Sequence, residues 1–286
     1  MRAGLAAFLL SLLLAAGPSH AAKIRMQVET PGGIEQPVYL SRPVNLAPDR
    51  PVVFVMHGMK RNADEYRDQW HDLAEEHDFL LVVPEFSDHD FPESEAYNLG
   101  NIFNGQGGRR PETEWSFSAI EPIFEEVRKR FGMTAEGYAI YGHSAGAQFV
   151  HRFLFHVPEA RITRAVAANA GWYTMPDFSV EYPYGLKDSA VSREMLEKVI
   201  QRPLTVLLGE EDTDPEHASL RRTPEALVQG PHRFARGQAF FAAGQAASKQ
   251  LGTSFAWRLE TVPGADHDNR LMAPAAIPYL LGSEPQ

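Results

Sequence analysis

The stretch Ala139-Ile140-Tyr141-Gly142-His143-Ser144-Ala145-Gly146-Ala147 joins an apolar run to a helical pattern through one hydroxyl set between two glycines. Upstream, Gly137 to Tyr141 reads as a short buried strand, and downstream Ala145 to His156 reads as a helix. In a tight strand-to-helix turn, side chains two positions on either side of the serine would clash, so glycine is required there. Ser144 is then either a helix N-cap with glycines for close packing, or a nucleophile held on a strained turn at the strand end. A strand before it and a helix after it favour the nucleophile.

Outward from this turn, short apolar runs alternate with helical patterns. Val52 to Met56 and Phe79 to Val83 read as strands around an amphipathic helix from Asn62 to His77. Glu114 to Phe131 reads as a helix, with Pro122 near its start. Arg164 to Ala170, Leu204 to Leu208 and Ser254 to Val262 continue the strands, and Pro231 to Leu251 is a long helix. Ahead of them, Ile24 to Glu29 and Val38 to Arg42 flank Pro31-Gly32-Gly33 as an antiparallel edge hairpin. Continuous apolar strands separated by helices predict an α/β fold, a mostly parallel sheet covered on both faces, with ligands beyond the carboxyl ends of its strands.

A serine needs a base to take its proton, and the base needs an orienting acid. In such a sheet the chain order is serine, acid, histidine. After Leu204 to Leu208 comes Gly209-Glu210-Glu211-Asp212-Thr213-Asp214, where Asp212 has the expected loop position and Asp214 is its rival. A weak calcium loop through Asp212, Asp214 and Glu216 would lack the remaining ligands and the glycine of a recognised one. His267, in Pro263-Gly264-Ala265-Asp266-His267-Asp268, directly follows the last strand and is the expected base. His217 and His232 lie too near the acid or at a helix start, and His151 and His156 sit on the helix behind the serine. The first core strand ends in His57-Gly58-Met59, so the backbone N–H groups of Met59 and Ala145 are the expected oxyanion donors. His57 has no companion at ligand spacing, so it reads as a brace for its loop and no metal site is expected.

The chain has 286 residues and no cysteine, which excludes disulfides, thiolate metal sites and cysteine nucleophiles. A formal charge of −10 argues against nucleic acid and anionic membranes as partners. Arg2, the apolar run Leu5 to Ala16 and the small residues Ser19 and Ala21 have the form of a signal peptide cleaved after Ala21. Export to the periplasm or beyond is expected, with residues 22–286 forming one domain. No later run is apolar enough for a membrane span.

Together Val53 to Gly58, Gly142 to Gly146, Gly209 to Asp212 and His267 resemble the α/β-hydrolase superfamily over nearly the whole chain past the leader. Within it the sequence looks like the exported esterase and polyhydroxyalkanoate depolymerase-like branch. The resemblance implies a cofactor-free serine hydrolase of carboxylic esters, with Ser144 as nucleophile, Asp212 as acid, His267 as base, and Met59 and Ala145 at the oxyanion. Depolymerases of that branch often carry disulfides and a polymer-binding domain. This sequence shows neither, which points to a small, soluble ester. A peptidase or amidase would use the same triad, and a non-catalytic binding protein would be expected to have lost a member of it.

Two long segments without a strong period leave strand ends, Glu85 to Thr113 and Gly171 to Gln201, and the second is a lid candidate. Trp172 and Tyr173 are candidate substrate-binding residues, with Tyr182 and Tyr184 in the same segment. Each can equally be core. Arg109 and Arg110 could meet an anionic substrate or simply solvate their loop.

Overall fold

Five-residue runs such as Val52–Met56 (β3) and Leu80–Pro84 (β4) are buried from end to end, which requires cover on both faces of the sheet they join. The computed structural model describes residues 21–283; the expected leader, residues 1–21, lies outside them except for Ala21. Ala22–Glu29 (β1), Glu35–Arg42 (β2), Tyr138–His143 (β5), Ile162–Ala168 (β6), Leu204–Gly209 (β7) and Arg258–Val262 (β8) complete an eight-stranded sheet of order β1-β2-β4-β3-β5-β6-β7-β8. β1 and β2 pair antiparallel at one edge, β2 meets β4 antiparallel, and every pairing from β4 to β8 is parallel. The hairpin expected at the edge therefore lies there, and the sheet is mostly parallel.

The strands' period of two divides the core. Val53, Val55, Leu81, Val83, Tyr141 and Val166 face Ala63–Glu76 (α1) and Asn269–Leu281 (α7). Val52, Phe54, Met56, Leu80, Val82 and Ile140 face the other way. There they pack with Ile120–Phe131 (α2), Ala145–His156 (α3), Arg193–Ile200 (α4) and Arg233–Leu251 (α6). Among the described residues, no helix is long and apolar enough to cross a membrane.

Two boundaries and one short helix differ from expectation. The helix expected from Glu114 begins at Ile120, because Trp115 is extended (φ −71°, ψ 138°) and separates two short 3₁₀ turns. Pro122 falls in the first helical turn, where its missing N–H has no intrahelical partner to lose. The last strand starts at Arg258 rather than Ser254, since Trp257 turns inward to donate from Nε1 to the Val199 carbonyl. A short helix, Pro224–Gln229 (α5), occupies a stretch where none was expected.

Candidate active site

Ser144 sits between β5 and α3 with φ 57° and ψ −115°, a backbone conformation that a side-chain-bearing residue adopts only under constraint. The constraint is packing. A Cβ on Gly142 would lie 2.1 Å from the Gly146 carbonyl oxygen, and one on Gly146 would lie 2.0 Å from that of Met56. Ser144 stands at the N-cap position, yet its side chain makes no capping hydrogen bond. Its Oγ is instead 3.0 Å from His267 Nε2. The helix-cap alternative for this serine is therefore absent from the geometry.

His267 Nδ1 lies 2.7 Å from Asp212 Oδ2, so the ring bridges carboxylate and hydroxyl. With Asp212 accepting from Nδ1–H, Nε2 is left unprotonated to accept from the Ser144 hydroxyl. Asp212 is buried at the end of β7, and its Oδ1 accepts from Arg233 Nη1 at 3.1 Å. Burial alone would raise the Asp212 carboxyl, but the hydrogen bonds and charges of His267 and Arg233 outweigh it and hold the group below its ordinary value. Burial lowers His267 below the ordinary imidazole value. Asp212 opposes that shift, while Arg233 and His217 reinforce it. Asp214 is exposed and accepts the Glu216 N–H at 2.8 Å, away from His267.

The acid and base loops are tied by backbone. Glu211 N–H donates to Ala265 O at 2.9 Å and Glu210 N–H to Val262 O at 3.1 Å. Asn169, with φ 51° just past β6, accepts from Gly209 N–H at 2.8 Å and donates to Asp266 O at 3.0 Å. His57 braces the opposite loop. Its Nε2 accepts the Phe86 N–H at 3.0 Å while Nδ1 donates to Gly58 O at 3.0 Å, and burial lowers its pKa to about 4, keeping it neutral. Ala145 is the first residue of α3, so its N–H has no intrahelical acceptor, and Met59 borders the same space.

Ser144 opens onto a cleft of two lobes. One, about 590 Å³, is bordered by Asp88, Glu93, Asn98, Gln148, Trp172 and Arg221. The other, about 550 Å³, is bordered by Lys60, Tyr66, Gln69, His143, His217 and His267. Met59, Ser144, Ala218 and Ser219 border both.

Several expected contacts fall elsewhere. Trp172 borders the first lobe, but Tyr173 does not. It is fully buried and stacked on Phe240 with ring centroids 4.4 Å apart. Of the lid candidate 171–201, only Gly171 and Trp172 border the cleft, while Thr174, Leu186, Val191, Leu196, Val199 and Ile200 are buried in the fold. Tyr182 is anchored by its hydroxyl to Leu99 O at 2.8 Å, and Tyr184 by its hydroxyl to that of Thr223 at 2.7 Å. Arg109 and Arg110 pair on the surface with Glu112 and Glu114, each at 3.0 Å.

The sequence reading passed over Arg233, Asn169 and His217. Asn169 carries a usable signal, since asparagine is among the few residues that accept a left-handed conformation after a strand. His217 was set aside for its nearness to the acid, yet its ring lies 5.5 Å from that of His267.

The chain matches no protein-family model and no curated protein. Among solved structures, it is 45% identical to poly(aspartic acid) hydrolase-1 from Sphingomonas sp. KT-1, covering 91% of this chain and 98% of that one with a TM-score of 0.87. It is 35% identical to LpqC, a poly(3-hydroxybutyrate) depolymerase from Bordetella parapertussis, covering 93% of each chain, also with a TM-score of 0.87. FphF, a fluorophosphonate-binding serine hydrolase from Staphylococcus aureus, shares the fold at 16% identity and a TM-score of 0.58, with 91% of this chain and 96% of that one covered. With near-complete coverage by two relatives above one third identity, the chain belongs to the α/β-hydrolase superfamily and to its depolymerase-like branch.

Proposed function

We propose that this hydrolase cleaves carboxylic esters through an acyl-enzyme on Ser144. The observation that supports this most is the single imidazole of His267 spanning Asp212 Oδ2 at 2.7 Å and Ser144 Oγ at 3.0 Å, on a serine freed from capping its helix. Ser144 Oγ attacks the carbonyl carbon as its proton passes to His267 Nε2. The N–H groups of Met59 and Ala145 hold the oxyanion, and Asp212 stabilises the imidazolium. Collapse breaks the bond to the leaving oxygen, which takes the proton from His267. Water then attacks the acyl group, giving its proton to His267, and the acid leaves as Ser144 regains its hydrogen. Every step uses groups of the chain itself, with no cofactor. The leader-like residues 1–21 support a place of action outside the cytoplasm.

A second reading has specific support: the relative at 45% identity is a poly(aspartic acid) hydrolase, and the same groups can expel an amine. The test is hydrolysis of a chain-length series of p-nitrophenyl esters by the wild type and by Ser144→Ala. Ester turnover falling by a factor on the order of 10⁴ or more in the variant is expected. A folded wild type without ester turnover would sink the ester reading, and poly(aspartate) cleavage would then decide for amides.

A further inference from the structure

Arg152, on α3 two turns past Ser144, is fully buried, and no carboxylate pairs with it among the described residues. Its Nε donates to Thr174 Oγ1 at 2.8 Å and its Nη1 to Asn98 O at 3.1 Å, but its buried Nη2 has no acceptor. Burial, reinforced by the charge of Arg221, lowers its pKa to about 9, which leaves it a cation at neutral pH. A buried charge without a counter-ion is strongly disfavoured by desolvation, so its retention calls for a compensating anion.

The groups in front of it are arranged to receive one. The Arg152 guanidinium lies 4.2 Å from the Trp172 ring centroid and that of Arg221 lies 4.8 Å from it, so one indole carries two cations. Gln148 Oε1 accepts from Asn98 Nδ2 at 2.9 Å and from Arg152 Nη1 at 3.3 Å. With its oxygen held by two donors, the Gln148 amide nitrogen is left as a donor in the lobe beside Ser144. Arg221 uses Nε on the Tyr184 hydroxyl at 2.8 Å and borders the same lobe. The lobe's carboxylates, Asp88 and Glu93, are both exposed, and Asp88 is met by Arg61 at 3.3 Å. Arg61 and Arg221 thus balance the two carboxylates of the lining, and the Arg152 charge behind Trp172 tips the lobe positive.

We propose that this lobe is a carboxylate subsite: the substrate carries an anionic carboxylate beside the scissile bond, received by Gln148 and Arg221 over Trp172 with the Arg152 charge behind. The inference rests on the hydrolytic reading of Ser144, whose neutral-ester turnover is measured in the same experiment. Mono-p-nitrophenyl adipate is compared with p-nitrophenyl hexanoate, placing the carboxylate in the acyl part. 3-Carboxy-4-nitrophenyl butyrate is compared with p-nitrophenyl butyrate, placing it in the leaving part. At least one charged ester is expected to show a kcat/KM tenfold or more above its neutral partner. That ratio should shrink in 0.5 M salt, and in Arg221→Gln, which alters a half-buried residue and spares the core. Neutral turnover without any charged preference overturns the subsite and leaves the hydrolase standing. If no ester is turned over, calorimetry of adipate against adipamide on Ser144→Ala decides the subsite alone. Tenfold tighter adipate binding, lost in Arg221→Gln, supports it, and equal or absent binding overturns it.

Discussion

Arg233 is where charge in the proposed triad is balanced. Its Nη1 meets Asp212 Oδ1 at 3.1 Å, while Nη2 reaches Ser219 Oγ at 2.9 Å and His217 Nδ1 at 3.2 Å. A carboxylate fixed on both oxygens has one orientation, which then sets the tautomer of His267. Asp212→Asn is therefore expected to lower kcat on the order of 10⁴-fold, with Asp214→Asn within twofold of wild type, measured on one p-nitrophenyl ester. The base works neutral, so activity disappears as pH falls and His267 takes a proton. Because His267 lies below the ordinary imidazole value, the acid limb of kcat/KM should fall below about pH 6.5. Arg233 is one of the groups lowering His267, so Arg233→Met should move that limb to higher pH. A limb that stays put in the variant would mean that Arg233 serves only packing.

At the scale of elements, the turn from β5 to α3 fixes how closely α3 approaches β3. Gly146→Ala would press a methyl group to 2.0 Å from the Met56 carbonyl oxygen, with backbone on both sides. A loss of about 3 kcal/mol or more in urea denaturation is expected, since neither partner is a movable side-chain end. Much at this scale was legible in the sequence, because short apolar runs such as Val52 to Met56, alternating with amphipathic helical patterns, mark strands covered on both faces. Ser144, Asp212 and His267 were legible for a related reason, each standing in the loop after a segment that reads as a strand. Arg233 and Arg152 were not, because a buried arginine inside a helix carries the same local pattern as a surface one, and only the tertiary partner distinguishes them. The α5 helix did leave a trace in Thr223-Pro224, a capping residue before a proline at the first helical position. Tyr173 was ambiguous in principle: an aromatic after a strand end faces the cleft or the core according to parity that composition does not reveal.

Across the whole molecule, the sheet separates two apolar layers, and no disulfide joins them. Stability then rests on packing, and the thicker layer has an aromatic stack at its centre. Phe240 lies 4.4 Å from Tyr173 and 5.0 Å from Trp257 by ring centroid, both near-parallel. Phe240→Ala is expected to cost about 3–5 kcal/mol by chemical denaturation. The cleft above these layers has a consequence for inheritance. Its two lobes touch at Met59, Ser144, Ala218 and Ser219, and each also draws on stretches the other lacks, one on 88–98 and 171–172, the other on 62–69 and 267–270. With Ser144 between them, a lineage can exchange one half of its substrate while keeping the other, by drift in one set of loops. Divergence among such chains should then be partitioned, with one lobe changing while its neighbour stands still.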